Sequence, residues 1–440
     1  MPETIRFHSS FVNHLKDVTE RFQDSSDADR SRIHGLLNGA AGEAVLATIS
    51  AATRARDGIF FSGHAIALRA AGLIEAGSLG TPIVRDPSCG AGDLLLAYAR
   101  HLPLCATLGM TIAEWSKLLH GIDLHAHFVL AARWRLLLLA MQRHSEKGDR
   151  VAGRTLKDDD FPHVIQGNYM RQRSSDMVDV IVSNPPFGHT IVPKGCEWAE
   201  GRTQLAGLFL DQILRRARPG QQVVAILPDV LRSGYRYRKW RRWVSSHAEI
   251  KDVHVYGRFD ARTDVDVFLL NLRCREGRKS ETLDWGTTDC AAKELGSTLE
   301  THFAVAVGAV VPHRHPGDVG PWRKYLDVTH APARGETIPS HSRRFNGRTH
   351  LPPFVTIRRT SNPGDSSRLV PTLVLGEEPV AVENHLIVLS PIRGGVAACR
   401  ALMKVLQSES ATAWVNSRMR CRHIATNILS SLPVEIPGCD

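Results

Sequence analysis

The chain has 440 residues, of which 43% are hydrophobic and 23% charged, so it is long enough to hold two or three domains with full cores. Its net charge of +10 favours a polyanionic partner. No run approaches the roughly eighteen apolar residues of a membrane span, and the N-terminus lacks a secretory apolar segment, so we expect a cytoplasmic protein. Its 8 cysteines include no Cys-x-x-Cys pair, which argues against a disulfide framework and a zinc site, and we expect no metal.

Three regions follow one another along the chain. Residues 1–59 are predicted to be a helical extension, with a break and a helix cap at 25–29. Residues 60–275 alternate strand and helix patterns, which predicts an α/β fold with a doubly wound sheet. The predicted strands of this region are 83–85, 120–124, 178–183, 222–228, 252–256 and 265–272, and its predicted helices are 94–99, 204–218 and one that starts near 235.

The pattern changes in the last third of the chain. The polar stretch 275–280 is predicted to be a linker. From about 290 to 440, short apolar runs alternate with loops rich in Gly, Pro and Asn, which predicts a mostly β region with appended helices that is suited to target recognition. Its predicted strands lie within 303–311, 354–357, 373–375 and 385–389, and its predicted helix spans about 395–407.

The turn Asp86-Pro87-Ser88-Cys89-Gly90-Ala91-Gly92-Asp93 follows the first predicted strand and opens a helix. Glycines let the backbone approach a ligand closely, and the free N–H groups of the helix start face it, as an adenosyl cofactor requires. The turn lacks the Gly-Lys-Ser/Thr ending of a phosphate loop, and its acidic ends would repel a pyrophosphate. A carboxylate such as that of Asp86 suits a cationic or amine-bearing cofactor, and Cys89 is interpreted as a small apolar filler.

A second motif, Asn184-Pro185-Pro186-Phe187, ends the apolar run 178–183, which reads as a buried parallel strand. Two prolines cannot continue a sheet ladder, so the chain must leave the sheet in a stiff turn. Such a turn presents an amide side chain, a carbonyl and an aromatic ring at the edge where α/β sheets bind ligands. This set suits an exocyclic amine on a heterocycle; the alternative is a proline turn that only closes a strand.

Together, the two motifs resemble those of the S-adenosylmethionine-dependent N6-adenine DNA methyltransferases of the gamma arrangement, which include type I modification subunits and single-chain type II enzymes. The resemblance extends over about residues 60 to 275. It implies a class I methyltransferase fold with an antiparallel final strand pair and a C-terminal target-recognition region. It also implies Asn184, Pro185, Pro186 and Phe187 as catalytic residues.

The resemblance implies a role for each matching position. Phe61 and Ser62 would pack beside the methionine moiety of S-adenosylmethionine, Asp123 would hold the ribose hydroxyls, and Phe259 would stack on the flipped base opposite Phe187. Asn168 stands where the family usually has Asp against the cofactor's adenine amine; the alternatives are a turn asparagine for Asn168 and a core phenylalanine for Phe259. The full set of expected cofactor-binding residues is Phe61, Ser62, Asp86, Ser88, Cys89, Gly90, Gly92, Asp123, Leu124 and Asn168.

Residues 232–243 concentrate cations and aromatic side chains on a predicted helix. Trp240 and Trp243 would share one face and are interpreted as core residues, whereas the cations are interpreted as contacts to DNA phosphates. The alternative for the cations is a solvated helix face. The expected DNA-backbone residues are Arg236, Arg238, Lys239, Arg241 and Arg242.

These features predict methyl transfer from S-adenosylmethionine to the N6 amine of a flipped adenine in double-stranded DNA. We expect a site-specific enzyme of a restriction-modification or defence system, with a restriction endonuclease or specificity subunit as a possible separate partner. Four alternatives stay open: an RNA adenine or guanine-N2 methyltransferase, a protein glutamine methyltransferase, an N4-cytosine enzyme, and a methylase-like DNA-binding subunit without activity.

Overall fold

The computed structural model describes residues 7–23, 26–75, 80–172, 177–259, 265–277, 285, 297–315 and 319–436. The chain divides into two compact units. The first unit comprises Met1–Leu231 and Tyr237–Trp285, and the second comprises Arg232–Arg236 and Gly286–Asp440. Part of the predicted linker (278–280) and the predicted start of the third region at 290 lie outside the described residues.

A seven-stranded sheet forms the centre of the first unit, in the order β3-β2-β1-β4-β7-β9-β8. The first five of these strands run parallel to one another. Every residue of β4 and β7 is buried, which explains why their sequences, apart from Ser183 and Gln222 at the strand ends, are apolar rather than alternating. The strands of the first unit are β1 Val84–Asp86, β2 Leu119–Asp123, β3 Val164–Gln166, β4 Val180–Ser183, β5 His189–Ile191, β6 Arg202–Gln204, β7 Gln222–Pro228, β8 Ala248–Arg258 and β9 Asp266–Cys274.

The last two strands of this sheet are antiparallel additions. β9 pairs antiparallel with β7 from Gln222↔Arg273 to Pro228↔Val267, and β8 pairs antiparallel with β9 at the sheet edge. β5 and β6 form a separate antiparallel ribbon after the Asn-Pro-Pro-Phe turn. The predicted α/β class with a mostly parallel sheet and an antiparallel final pair is therefore confirmed.

Helices precede the sheet and connect its parallel strands. The N-terminal part begins with a π-helical turn, His8–Val12, and the Ser26 hydroxyl caps the second α-helix by accepting the Asp29 N–H at 3.1 Å. The helix that follows β2 is buried on nearly all sides over residues 136–141, because it packs against the sheet and the N-terminal helices. The α-helices of the first unit are α1 Asn13–Glu20, α2 Asp27–Leu37, α3 Ala40–Thr48, α4 Ala51–Asp57, α5 Gly63–Ala71, α6 Asp93–Ala99, α7 Leu108–Leu118, α8 Ala126–Glu146, α9 Leu205–Arg216, α10 Asp229–Ser233 (whose last two residues fall in the second unit) and α11 Arg238–His247.

The second unit is built on two small sheets, as the predicted mostly β region requires. A five-stranded sheet has the order β10-β17-β14-β15-β12, and a three-stranded sheet has the order β13-β11-β16. Its strands are β10 Phe303–Val307, β11 Trp322–Leu326, β12 Glu336–Thr337, β13 Ser342–Arg344, β14 Phe354–Arg358, β15 Pro371–Val374, β16 Val380–Val382 and β17 Leu386–Pro391. Its helices are α12 Leu299–His302, α13 Gly395–Leu406, α14 Glu409–Arg418 and α15 Thr426–Ser430.

Two apolar clusters stabilise this unit. One packs α13, α14 and α15 against the five-stranded sheet, and the other lies between β14 and the strand β16 of the smaller sheet. Among the described residues, no helix is long and apolar enough to cross a membrane.

Candidate active site

The glycine turn lies where β1 meets α6, at the carboxyl edge of the sheet. The Ser88 N–H donates to Asp86 Oδ1 at 3.0 Å, and the Gly90 N–H donates to Asp123 Oδ2, at the end of β2, at 3.0 Å. Gly90 has a φ of +49°, and a Cβ on it would lie 2.9 Å from Cε1 of Phe61. Glycine meets both conditions without strain. The close approach of this turn to a ligand stays a prediction.

The two carboxyl groups at this edge are electrostatically unusual. Burial, together with the nearby Asp123, raises the pKa of Asp86 to about 8. Burial also raises the pKa of Asp123, although the N–H groups of His125 and Gly90 donate to its carboxylate. Because desolvation disfavours the anionic forms, a cation bound beside these groups would relieve part of that cost.

The raised pKa of Asp86 predicts a pH-dependent stability. Asp86 in the unfolded chain ionises near its ordinary value of 3.8, whereas in the folded chain it keeps its proton up to about pH 8. Stability is therefore greatest below pH 4 with respect to this group, and is lost as the pH rises through about 8. The variant Asp86→Asn imitates the neutral acid at every pH. We therefore expect its unfolding free energy, relative to that of the wild type, to increase by on the order of a few kcal/mol from pH 5 to pH 9. Urea unfolding at both pH values measures this, and parallel pH profiles for the two proteins would contradict it.

The Asn-Pro-Pro-Phe turn follows β4 and adjoins the glycine turn. The Ser88 hydroxyl lies 3.2 Å from both the Asn184 carbonyl oxygen and the Ser183 hydroxyl, so a single side chain links the two turns. The Asn184 Nδ2 donates to the Phe60 carbonyl at 3.0 Å. Since only the nitrogen of an amide can donate to a carbonyl, this bond determines which way the Asn184 amide is oriented.

The oxygen of the Asn184 side-chain amide, Oδ1, is the atom that says most about what this site could bind. Asn184 Oδ1 is buried and has no hydrogen-bond partner among the residues that the structure describes. A buried acceptor without a donor costs about 1–3 kcal/mol, so its persistence calls for an explanation. An N–H donor supplied by a ligand would satisfy it.

Three phenylalanine rings surround this turn. The Phe187 ring stacks on Phe60 with centroids 5.6 Å apart, and meets Phe259 edge to face at 5.3 Å. Phe187 and Phe259 are both buried.

Gly58 adapts the preceding segment to the same turn. Its φ is +68°, and a Cβ on it would lie 2.4 Å from the Pro186 Cβ and 3.1 Å from the Phe187 carbonyl oxygen. The backbone of residue 58 therefore packs directly against the second proline of the motif. This contact and the Phe60 carbonyl position the Asn-Pro-Pro-Phe turn from the N-terminal side of the chain.

A cavity of about 210 Å³ opens between the two turns and the ends of β2 and β3. Of the predicted residues, those that line it are Phe61, Ser88, Gly90, Asp123, Leu124, Asn168, Asn184 and Pro186. Those that are described but do not line it are Ser62, Asp86, Cys89, Gly92, Pro185, Phe187 and Phe259.

The cavity also includes residues that the sequence analysis did not identify. Tyr169 stacks on Phe209 at 5.5 Å, and Phe128 contacts both Phe61 and His125 edge to face. The sequence contains one indication that Tyr169 lies at the cavity: it directly follows Asn168, near the end of a strand. Phe209 and Phe128 sit on helices and carried no such signal, because an aromatic residue on a helix is usually part of the core.

The basic segment divides into buried aromatic and exposed cationic side chains. Trp240 and Trp243 are buried, and Trp240 Nε1 donates to the Gly207 carbonyl at 3.2 Å. The Arg241 guanidinium is half-buried and donates to the Leu231 carbonyl at 3.0 Å. The exposed cations of the predicted set are Arg236, Arg238, Lys239 and Arg242. Among the described residues, no group of three or more His, Cys, Asp or Glu could hold a metal ion.

Five parallel strands with an antiparallel pair form the class I methyltransferase fold, and a glycine turn and an Asn-Pro-Pro-Phe turn lie at the carboxyl edge of its sheet. Residues 36–251 match the family model for N-6 DNA Methylase. The predicted enzyme class, an adenine-specific DNA methyltransferase, is thereby confirmed.

A comparison with curated proteins found no match to the sequence. The fold, in contrast, is similar to those of solved proteins. A Listeria monocytogenes protein assigned to the class I S-adenosylmethionine-dependent methyltransferases is 18% identical over 62% of this chain and 85% of its own, with a TM-score of 0.36. The type IIL restriction-modification enzyme MmeI, in complex with DNA, is 12% identical over 98% of this chain and 66% of its own, with a TM-score of 0.47. The type I restriction enzyme EcoKI M protein is 14% identical over 63% of this chain and 62% of its own, with a TM-score of 0.36.

Proposed function

We propose that this chain transfers the methyl group of S-adenosylmethionine to the N6 amine of an adenine that has been flipped out of duplex DNA. The observation that carries the proposal is the buried Asn184 Oδ1, an acceptor without a donor that belongs to a residue lining the cavity. An exocyclic amine supplies the N–H that this oxygen lacks. The family match supports adenine in DNA as the substrate.

The residues at the cavity fit the cofactor. Asp123 would accept the two ribose hydroxyls, since a carboxylate has about four acceptor sites and the N–H groups of Gly90 and His125 use two of them. Asn168 would accept the adenine amine of the cofactor, and Leu124, with 56% of its surface exposed, would cover its ring. The bound sulfonium would favour the ionised form of Asp86, whose negative charge would in turn attract the cofactor. When bound, S-adenosylmethionine supplies an electrophilic methyl group on a sulfonium.

The residues of the Asn-Pro-Pro-Phe turn would act on the target nitrogen. An aromatic amine is a poor nucleophile because its lone pair is delocalised into the ring. Asn184 Oδ1 and the Pro185 carbonyl would accept its two N–H bonds, which favours a pyramidal nitrogen and concentrates charge where the methyl is attacked. The proton can leave after the transfer, so a strong general base is not needed.

The aromatic rings would offset part of the cost of flipping. Taking a base out of the duplex costs a few kcal/mol, and stacking on an aromatic ring returns about 1–3 kcal/mol. Phe187 would provide this stacking after it separates from Phe60, on which it stacks in this structure. Phe259 would then contact the other side of the base, which requires it to move from its present edge contact with Phe187.

DNA would be held by charge outside the cavity. Arg236, Arg238, Lys239, Arg241 and Arg242 would contact phosphates, and the second unit would read the target sequence. A DNA substrate places the enzyme in the cytoplasm, and a restriction endonuclease or a specificity subunit would be its partner in a restriction-modification system.

The close contact at Gly58 yields a prediction for this mechanism. We expect Gly58→Ala to lower kcat by about tenfold, because the new methyl group would displace Pro186 and with it the Asn184 acceptor. The measurement is kcat at saturating cofactor and DNA. Gly39→Ala is a matched control: its φ is +90°, yet no atom lies within 4 Å of the added Cβ. An equal loss in both variants would assign the effect to backbone strain rather than to the contact with Pro186.

The proposed function is tested by transfer of a labelled methyl group from S-adenosylmethionine to unmethylated duplex DNA, followed by nucleoside analysis. We expect the label in N6-methyladenine. Label in RNA or in a protein amide would overturn the DNA assignment. Label in N4-methylcytosine would overturn the choice of base.

A further inference from the structure

Arg135 is a fully buried cation in the middle of α8. Its Nη1 donates to the Ala91 carbonyl at 2.7 Å and forms an ion pair with Asp93 Oδ1 at 2.8 Å. Its Nε and Nη2 donate to the carbonyls of Leu36 and Leu37 at 3.0 and 3.1 Å. A buried guanidinium is costly to desolvate, so such a complete set of partners is what makes it tolerable.

These bonds join two parts of the chain that are far apart in sequence. Leu36 and Leu37 end α2, where helix carbonyls have no partner within the helix, so Arg135 caps that helix from outside. Ala91 and Asp93 belong to the glycine turn that borders the cavity. The other oxygen of Asp93 accepts the Gly63 N–H at 3.2 Å, just after the Phe60 and Phe61 segment.

We propose that Arg135 is a positioning residue for cofactor binding. Through Ala91 and Asp93 it fixes the glycine turn, and through Leu36 and Leu37 it fixes the N-terminal helices to that turn. The N-terminal extension thereby supports the glycine turn of the cofactor site through Arg135. The proposal rests on the proposed function, because it assumes that the cavity beside Gly90 takes S-adenosylmethionine.

A second ion pair, between the half-buried Arg154 and the buried Asp160, provides the control. Arg154 Nη2 donates to both carboxylate oxygens of Asp160 at 2.8 and 2.6 Å, and the Arg154 N–H donates to the Thr19 carbonyl of α1. Through the backbone N–H of Arg154, the segment that carries this pair also contacts the N-terminal helices. Neither Arg154 nor Asp160 lines the cavity. A purely structural role predicts the same outcome for both pairs, whereas a positioning role does not.

The test compares Arg135→Met, Arg135→Lys, Asp93→Asn and Arg154→Met in the full chain. For each, the thermal midpoint, the calorimetric Kd for S-adenosylmethionine, and kcat at saturating cofactor are measured. We expect Arg135→Met to raise Kd by about tenfold or more, while kcat at saturating cofactor changes by less than about twofold. The Kd of Arg135→Lys should lie between those of the wild type and Arg135→Met. The lysine ammonium can pair with Asp93, but it lacks the planar fork with which the guanidinium reaches three carbonyls and one carboxylate. Arg154→Met should lower the thermal midpoint and leave Kd unchanged.

Each outcome decides the proposal. A folded Arg135→Met with the wild-type Kd overturns it, as does an Arg154→Met that raises Kd equally. If Arg135→Met does not fold, Asp93→Asn takes its place, because it leaves the bonds of Arg135 to Leu36, Leu37 and Ala91 available; unchanged Kd in that variant also overturns the proposal. If the wild-type chain binds no S-adenosylmethionine, the proposed function itself is overturned. If the wild type binds it and the Arg135 variant binds it equally well, only the positioning role of Arg135 is overturned.

Discussion

Asn184→Ala is expected to reduce methyl transfer by at least about a hundredfold while leaving the Kd for S-adenosylmethionine nearly unchanged. The variant removes the Oδ1 acceptor proposed for the target amine, and no other side-chain oxygen of the Asn-Pro-Pro-Phe motif could replace it. Cofactor binding should persist because Gly90, Asp123 and Leu124 line the cavity independently of this side chain. Single-turnover transfer at saturating DNA and cofactor, with calorimetry of cofactor binding, makes the measurement.

Two further variants separate the chemistry from loss of stability. Asn184→Asp keeps an oxygen toward the target but places a second one against the Phe60 carbonyl, where Nδ2 now donates, so it too should be severely impaired. Asn271→Ala removes another buried amide, which bonds Gln222 and Asp252 within the sheet. It should destabilise the fold and leave transfer per folded molecule intact. Wild-type turnover in Asn184→Ala would remove the basis of the proposed mechanism.

The positions of most strands along the chain, and the two motifs, could be predicted from the sequence because both depend on local patterns. The runs at β4 and β7 are apolar on both faces, and proline after β4 must end the strand. Boundaries differ by a few residues: the strand predicted at 178–183 begins at Val180, and the strand predicted at 252–256 extends over Ala248–Arg258. Such differences arise because strand ends are decided by pairing with neighbours rather than by composition.

The orientation of the Asn184 amide could not be predicted in the same way. It depends on the Phe60 carbonyl, and a backbone carbonyl has the same chemistry whatever residue carries it. The roles of Gly58 and Arg135 depend on contacts across long stretches of sequence, with Pro186 and with Leu36 and Leu37. Neither has a local signature: a glycine after a helix is an ordinary cap, and an arginine on a helix is usually exposed. The N-terminal extension was recognised as helical, but its contact with the glycine turn emerges only from tertiary structure.

Asp123→Asn is expected to raise the Kd for S-adenosylmethionine by roughly 10–100-fold, because hydrogen bonds to a charged group contribute about 1.5–3 kcal/mol each. In the wild type, one carboxylate oxygen accepts the Gly90 N–H and the other accepts the His125 N–H. An amide can satisfy only one of these donors and turns its own NH2 toward the other, so the variant both loses acceptors for the ribose hydroxyls and disturbs the glycine turn. Calorimetric titration with the cofactor in the absence of DNA measures the effect.

Asp211→Asn is the matched control for a buried carboxylate. Asp211 accepts from Trp198 Nε1 at 2.8 Å and from Arg215 Nε at 2.6 Å, and it does not line the cavity. Its loss should lower the thermal midpoint without changing cofactor affinity. At saturating cofactor, Asp123→Asn should recover most of its kcat, since its acceptors are proposed to hold the ribose rather than the reacting nitrogen. A variant whose kcat stays low at saturation while its Kd is unchanged would instead assign Asp123 to the transfer step, and the proposed division of labour between β2 and the Asn-Pro-Pro-Phe turn would be wrong.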